Sequence, residues 1–259
     1  MLTGIGFSAA GLCQELVTLQ TRPGVTQSFF IAHMGGRKAE AVALLLIGGG
    51  GNISLRVENG QIRFAQGNFL PRSRREFIRN GIVPVILDNP SDQQAGAGMS
   101  DNFRAGAAHA ADLRAVAGEA KKRYPGLPVF VVGTSRSTLS AAYLAVSLHP
   151  EVAGAVLSSS LFYTDIRQRS VALAGFDWSK VKMPLLLVHH EDDGCGATPY
   201  FDAQRLGRRF PLVTVKGGKP AESGPCDPLA PHGFFGKEAE TVDAIAAWML
   251  GKPFAKVIP

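Results

Sequence analysis

Cysteine is scarce in this chain, with three residues in 259, so it is not a small scaffold held together by disulfides. Charge is sparse as well. Only 19% of residues are charged against 46% hydrophobic, a balance that excludes a disordered polyelectrolyte. No hydrophobic run is long, and Ala41–Ile47, the longest, ends in glycines. It falls well short of the roughly 20 residues that span a bilayer, which argues against stable membrane insertion. Low-complexity tracts, internal repeats and convincing linkers are all missing. G-x-x-x-x-G-K-[ST] is absent, and no dinucleotide-type glycine fingerprint opens a helix directly. The formal charge is +6, yet nothing resembles a nucleic-acid-binding motif, and nucleic acid is not an expected partner. Part of the excess, Arg72, Arg74, Arg75 and Arg79, gathers around one short helix and reads as a solvated basic face.

What remains is the composition of one α/β domain, assigned to residues 15–259. At this size about three quarters of the unfolded surface can be buried. Residues 1–14 read as an N-terminal arm or the remnant of a signal peptide. Met1–Cys13 is apolar and rich in small residues, like the end of a secretory segment, although it lacks a basic leading region. The expectation is a periplasmic or secreted protein, with a cytoplasmic one as the alternative.

Two strands, Glu15–Arg22 and Thr26–Met34, meet at the turn Pro23-Gly24. Ala41–Ile47 reads as a strand buried on both faces, and it ends in Gly48-Gly49-Gly50-Gly51-Asn52. A small hairpin is expected around Glu58-Asn59-Gly60, followed by a helix over Arg72–Asn80. Further strands fall at Ile82–Leu87, Val129–Val132, Val152–Leu157, Pro184–His189 and Leu212–Lys216. Helices are expected over Arg104–Tyr124, after Ser137, near Tyr200–Leu206 and over Glu238–Leu250. Strands alternating with helices imply a mostly parallel central sheet with helices on both faces and an antiparallel N-terminal hairpin. Leu161–Met183 is too short for a large lid.

The chain is organised around Leu127–Ser147. There an apolar strand breaks at Gly133-Thr134-Ser135-Arg136-Ser137 and a helix with a small-residue face begins. That is the strand–turn–helix setting of a G-x-S-x-G nucleophile elbow, with Ser137 where glycine is usual. Ser135 is the candidate nucleophile; the alternative is an ordinary helix-capping serine. A serine nucleophile needs a base and a carboxylate that orients it. His232, in the loop Pro231-His232-Gly233-Phe234, is the candidate base. The acid comes from the cluster after Pro184–His189: Asp193, with Asp192, Glu191 and the earlier Asp165 as alternatives. The glycines after Ile47 suit an oxyanion hole, where bare backbone must approach a carbonyl; a flexible loop or a phosphate cradle are the other readings. His189 and His190 point to opposite faces of a strand and have no spaced partners, so no metal is expected. His109 reads as structural.

Together the elbow, the glycines after Ile47, Val188-His189-His190-Glu191-Asp192-Asp193-Gly194-Cys195 and His232-Gly233-Phe234 resemble the α/β-hydrolase superfamily, over roughly Glu15 to Leu250. Within it, the chain resembles a group of bacterial, exported hydrolases without a large cap. The resemblance implies an α/β-hydrolase fold with Ser135, His232 and Asp193 as nucleophile, base and acid. It also implies oxyanion N–H groups from Arg136 and the Gly49–Gly51 turn, Gly50 foremost. The expected activity is hydrolysis of a carboxylic ester or related acyl bond in a small molecule, through an acyl-enzyme and without a cofactor. A catalytically silent binding protein on the same fold, or a lyase or perhydrolase using the same triad, are the rivals. If Asp193 and His232 hydrogen-bond, their loops run side by side, which brings Cys195 and Cys226 within bridging distance. A disulfide between them suits an oxidising compartment; two buried thiols are the alternative.

Overall fold

In the computed structural model, residues 12–34, 38–165 and 170–259 are described. The hairpin forms as β1 (Leu12–Arg22) and β2 (Val25–Met34), and Gly24, at φ 71°, makes the turn. After β3 (Ala41–Leu46) come a small hairpin, β4 (Arg56–Glu58) and β5 (Gln61–Arg63), and two short helices, α1 (Phe69–Arg72) and α2 (Arg74–Arg79). The chain continues as β6 (Ile82–Pro90), α3 (Asp101–Arg104), α4 (Ala107–Arg123), β7 (Val129–Thr134) and α5 (Ser137–Ser147). Next are β8 (Gly154–Ser158), the short pair β9 (Tyr163–Asp165) and β10 (Ser170–Val171), and β11 (Leu185–His190). Finally α6 (Tyr200–Leu206), β12 (Leu212–Val215), α7 (Glu238–Met249) and β13 (Val257–Ile258) close the chain.

Nine strands form one sheet in the order β1-β2-β6-β3-β7-β8-β11-β12-β13. The β1–β2 and β2–β6 pairs are antiparallel, and every other pair is parallel. All six residues of each of β3, β7 and β11 are buried, because helices cover both faces of a parallel sheet. Two apolar layers result. One holds Val42, Leu44, Val131, Leu139 and Leu187, and the other holds Leu45, Val132, Leu186, Val188 and Ile245. This alternation along single strands is the period-2 geometry of the pleat.

Several expectations are adjusted. The helix expected over Arg104–Tyr124 is two helices, since the chain turns at Ala105 and Gly106 caps α4 in an extended conformation. The helix expected over Arg72–Asn80 starts at Phe69 and breaks at Ser73. The strand expected at Ile82–Leu87 runs on to Pro90, because β2 pairs with it as far as Gln27↔Pro90. No sequence signal marked β13, a two-residue strand that adds to β12. Residues 1–11 lie outside the described residues, so the expected arm and signal remnant are not described there. No helix among the described residues is long and apolar enough to cross a membrane. Among the described residues, the segment between β8 and β11 carries β9, β10 and two single 3₁₀ turns, and no large lid stands over the sheet.

Candidate active site

Ser135 sits in the turn between β7 and α5 at φ 54°, in the left-handed region that side chains rarely occupy. Its backbone is held there from both sides. The Ser135 N–H donates to Ser158 O at 2.9 Å, and Thr138 N–H donates to Ser135 O at 2.9 Å. Strand and helix cross so closely that a Cβ on Gly133 would lie 2.5 Å from Ser137 O, which is why glycine is needed there. Ser137 is accommodated by being used. Its buried Oγ donates to Leu46 O at 2.6 Å and accepts from Thr134 N–H at 2.9 Å. The serine in the usual glycine position thus ties the elbow to the end of β3.

His232 reaches the same place from the other side of the sheet's C-terminal edge. Gly233 allows a close backbone crossing with Pro228, and Phe234, fully buried at φ 56°, packs on Phe69 with ring centroids 4.8 Å apart. Ser159 Oγ donates to His232 O at 2.7 Å. The imidazole Nδ1 lies 3.0 Å and 3.2 Å from the two oxygens of Asp193, so Nδ1 carries the proton and Nε2 is the basic nitrogen. Nε2 is buried and has no hydrogen-bond partner among the described residues. Ser135 and His232 line one cleft, together with Ile47, Gly48, Gly49, Asn52, Phe69 and Asp227; its volume is about 240 Å³.

Asp193 is fully buried at its side chain. Its Oδ1 accepts from Cys195 N–H at 3.0 Å and its Oδ2 from Thr198 Oγ1 at 2.9 Å. The competing acids are engaged elsewhere. Asp192 is exposed, with its N–H donating to His190 Nδ1 at 3.0 Å, and Glu191 pairs with Lys216 at 2.8 Å. Asp165 lies on β9 and its side chain falls outside the described residues. His189 is fully buried and pushed down to about 4, chiefly by burial, so it is neutral beside Asp193. His109 is held to about 3 by burial and by the Arg104 and Arg22 charges; it too is a neutral interior side chain.

The glycine turn closes with Gly51 N–H donating to Gly48 O at 3.1 Å, and Gly49 has φ 60°. Gly48 and Gly49 border the cleft, and a Cβ on Gly48 would come within 3.1 Å of Ser135 Cβ. Gly50 sits one step behind, its carbonyl accepting from Met99 N–H and Asn89 Nδ2, each at 2.9 Å. The Gly50 and Arg136 N–H groups make no hydrogen bond among the described residues, so both are available as donors. Cys195 and Cys226 form a disulfide with Cα atoms 4.6 Å apart, directly between the Asp193 and His232 loops.

Sequence reasoning missed three supports of this site. Thr198 holds Asp193. Asp88, at the end of β6, accepts from Ile53 N–H at 2.9 Å and Leu55 N–H at 2.8 Å, fixing one cleft wall. Arg72 was read as part of a solvated face. It instead donates to Gly233 O at 2.9 Å and Pro228 O at 3.1 Å and pairs with Glu238, clamping the His232 loop. No local pattern announces any of the three: the Asp88 and Arg72 contacts join segments far apart in the chain, and Thr198, though close to Asp193 in sequence, belongs to no recognisable motif.

No protein-family profile matches the sequence, and no curated protein matches it. Solved structures do match. A soluble variant of monoglyceride lipase from Saccharomyces cerevisiae superposes with a TM-score of 0.63 at 13% identity, covering 96% of this chain and 98% of that one. A serine hydrolase without a lid from Xanthomonas campestris gives 0.58 at 16% identity, over 93% and 97%. A cold-adapted esterase from an Arctic intertidal metagenomic library gives 0.57 at 16%, over 91% and 93%. The chain has the α/β-hydrolase fold.

Proposed function

We propose that the protein is a serine hydrolase that cleaves a small carboxylic ester, or a related acyl bond, through an acyl-enzyme. The observation that carries this reading is the imidazole of His232. Its Nδ1 is pinned by Asp193 while its Nε2, without a partner among the described residues, is buried at the cleft that Ser135 lines. In this reading Ser135 Oγ attacks the acyl carbon and its proton passes to His232 Nε2. The carbonyl electron pair moves onto oxygen, where the Gly50 and Arg136 N–H groups receive it. Collapse of the tetrahedral species breaks the ester bond, and the leaving alkoxide takes the proton from His232. Water then adds to the acyl-enzyme with His232 again as base, and collapse returns the carboxylic acid and free Ser135. The cleft, at about 240 Å³, is smaller than the roughly 300–1,000 Å³ of sites for drug-sized ligands, which supports short acyl groups. The disulfide supports an exported, oxidising location.

Fluorophosphonate labelling followed by peptide mapping tests the assignment. One label, on Ser135, is expected. Ser135→Ala and His232→Ala should each abolish nearly all ester turnover, with the double variant little worse, because the groups act as a unit. Labelling of a different serine overturns the reading. An ester series of increasing acyl length then tests the short-chain preference.

A further inference from the structure

Arg104 is among the most deeply buried side chains in the protein, at 1% exposure. A buried cation is normally matched by a buried anion. Here the carboxylate nearest in the chain, Asp101, is bound to Arg136 instead, at 2.7 Å. The Arg104 guanidinium makes two hydrogen bonds, one from Nη2 to Gly49 O at 2.8 Å and one from Nη1 to Ser140 Oγ at 3.2 Å. Its Nε is buried without a partner among the described residues. Burial and the Arg136 charge lower its pKa to about 10, so it stays charged at neutral pH. A full positive charge is therefore stationed behind the glycine turn and directed at one peptide carbonyl.

That carbonyl belongs to the peptide linking Gly49 to Gly50. In a trans peptide the C=O and N–H point in opposite directions. With Gly49 O turned back to Arg104, the Gly50 N–H is turned away from it, and the two residues before it, Gly48 and Gly49, border the cleft. A cation hydrogen-bonded to a peptide oxygen polarises the whole unit and makes its N–H a stronger donor. The charge also adds its own field at short range in a site of low dielectric. We propose that Arg104 is a positioning residue that orients and polarises the Gly49–Gly50 peptide, so that Gly50 N–H stabilises the negative oxygen formed on the substrate. The inference rests on the hydrolase reading above. Asp101 is bound to Arg136, so the carboxylate that acts on the Arg104 charge is shared with a second cation. Asn89 Nδ2 and Met99 N–H hold the next carbonyl, Gly50 O, so the turn is gripped on two successive peptides and cannot rotate to relax.

The decisive measurement is the ionisation of a bound oxyanion. A trifluoromethyl ketone, ¹³C-labelled at its carbonyl, forms a hemiketal with Ser135. The Oγ–C bond forms, the proton passes to His232 and the carbonyl electron pair moves onto oxygen. The ¹³C shift then titrates with the pKa of that oxygen. Arg104→Gln and Arg104→Met, two neutral replacements of different polarity, should raise this pKa by at least one unit relative to wild type. They should lower kcat about 10- to 100-fold, less than the roughly 10²- to 10³-fold loss on removing an oxyanion donor outright, with KM within about twofold. Arg104→Lys, which keeps a charge, should recover part of both effects. Whichever neutral variant folds, by its near-ultraviolet circular dichroism, carries the test. An unchanged oxyanion pKa in a folded neutral variant overturns the inference, as does a loss confined to KM or to stability. The two readings fail separately: wild type that is neither labelled at Ser135 nor able to form the hemiketal sinks the hydrolase proposal itself. Wild type that does both, with variants that match it, sinks only the role of Arg104.

Discussion

Asp193 directs both carboxylate oxygens at groups that fix its position: the Cys195 N–H, the Thr198 hydroxyl and the His232 ring. Asp192, its neighbour, points to solvent. The difference follows from the tight turn after β11, where successive side chains diverge. Asp193→Asn should retain the fold and lower kcat by about 10³- to 10⁴-fold, because an amide cannot hold the imidazole in the required tautomer. Asp192→Asn should stay within a few-fold of wild type. Steady-state kinetics on one short ester decide between them, and the reverse ranking would move the acid to Asp192. Ser137 belongs to the same scale. Its hydroxyl satisfies the buried Leu46 carbonyl and the Thr134 N–H, so a residue that departs from the usual elbow glycine stabilises the turn instead of loosening it.

Among the elements, two loops matter most: the one after β11 that carries Asp193 and the one before α7 that carries His232. The first has no regular structure and the second has a single 3₁₀ turn, Pro231–Gly233. They are fastened to each other by the Cys195–Cys226 bridge and to the body of the protein by Arg72, Ser159 and Phe234. The bridge spans a sequence separation of 31, for which chain-entropy reasoning gives roughly 3–4 kcal/mol of stabilisation. Denaturant unfolding with and without reductant should show a loss of that order. Non-reducing peptide mapping should yield a Cys195–Cys226 cross-linked peptide, and two alkylatable thiols in oxidised protein would contradict the pairing.

At the scale of the whole molecule, acid stability reports on the interior. His189 and His109 are buried and neutral, held to about 4 and about 3 mainly by desolvation, whereas in the unfolded chain each titrates near 6.5. Between those values the unfolded chain binds protons that the folded chain refuses, so folding weakens as pH falls. The stabilisation is complete above about pH 6.5 and drains away toward pH 4 for His189 and pH 3 for His109. Two such groups amount to about 3 kcal/mol per pH unit. Tm should therefore drop on the order of 5 °C per pH unit below pH 6.5. Calorimetry between pH 8 and 4 measures this, and His189→Leu should flatten the slope. A Tm that stays level between pH 7 and 5 would contradict it.

The sequence by itself determined the alternation of strands and helices, the buried character of β3, and the strand–turn–helix setting of Ser135. These are local properties, written in apolar periodicity and in where glycine and proline interrupt it. The candidates Ser135, Asp193 and His232 and the two cysteines beside the last two could be singled out for a related reason: polar side chains and cysteines in loops have few structural roles to explain them. Tertiary structure alone decided the rest. Arg104 was read as the first residue of a long helix, and only the break at Ala105–Gly106 turns its side chain in behind the glycine turn. Arg72 looked like one of several solvated arginines until the loop containing Gly233 was laid across it. Thr198 carries no mark at all. A long polar side chain takes its role from whichever carbonyl or carboxylate the fold brings near it. For Arg72 and Arg104 those partners come from segments distant in sequence, and the packing of the whole sheet chooses them.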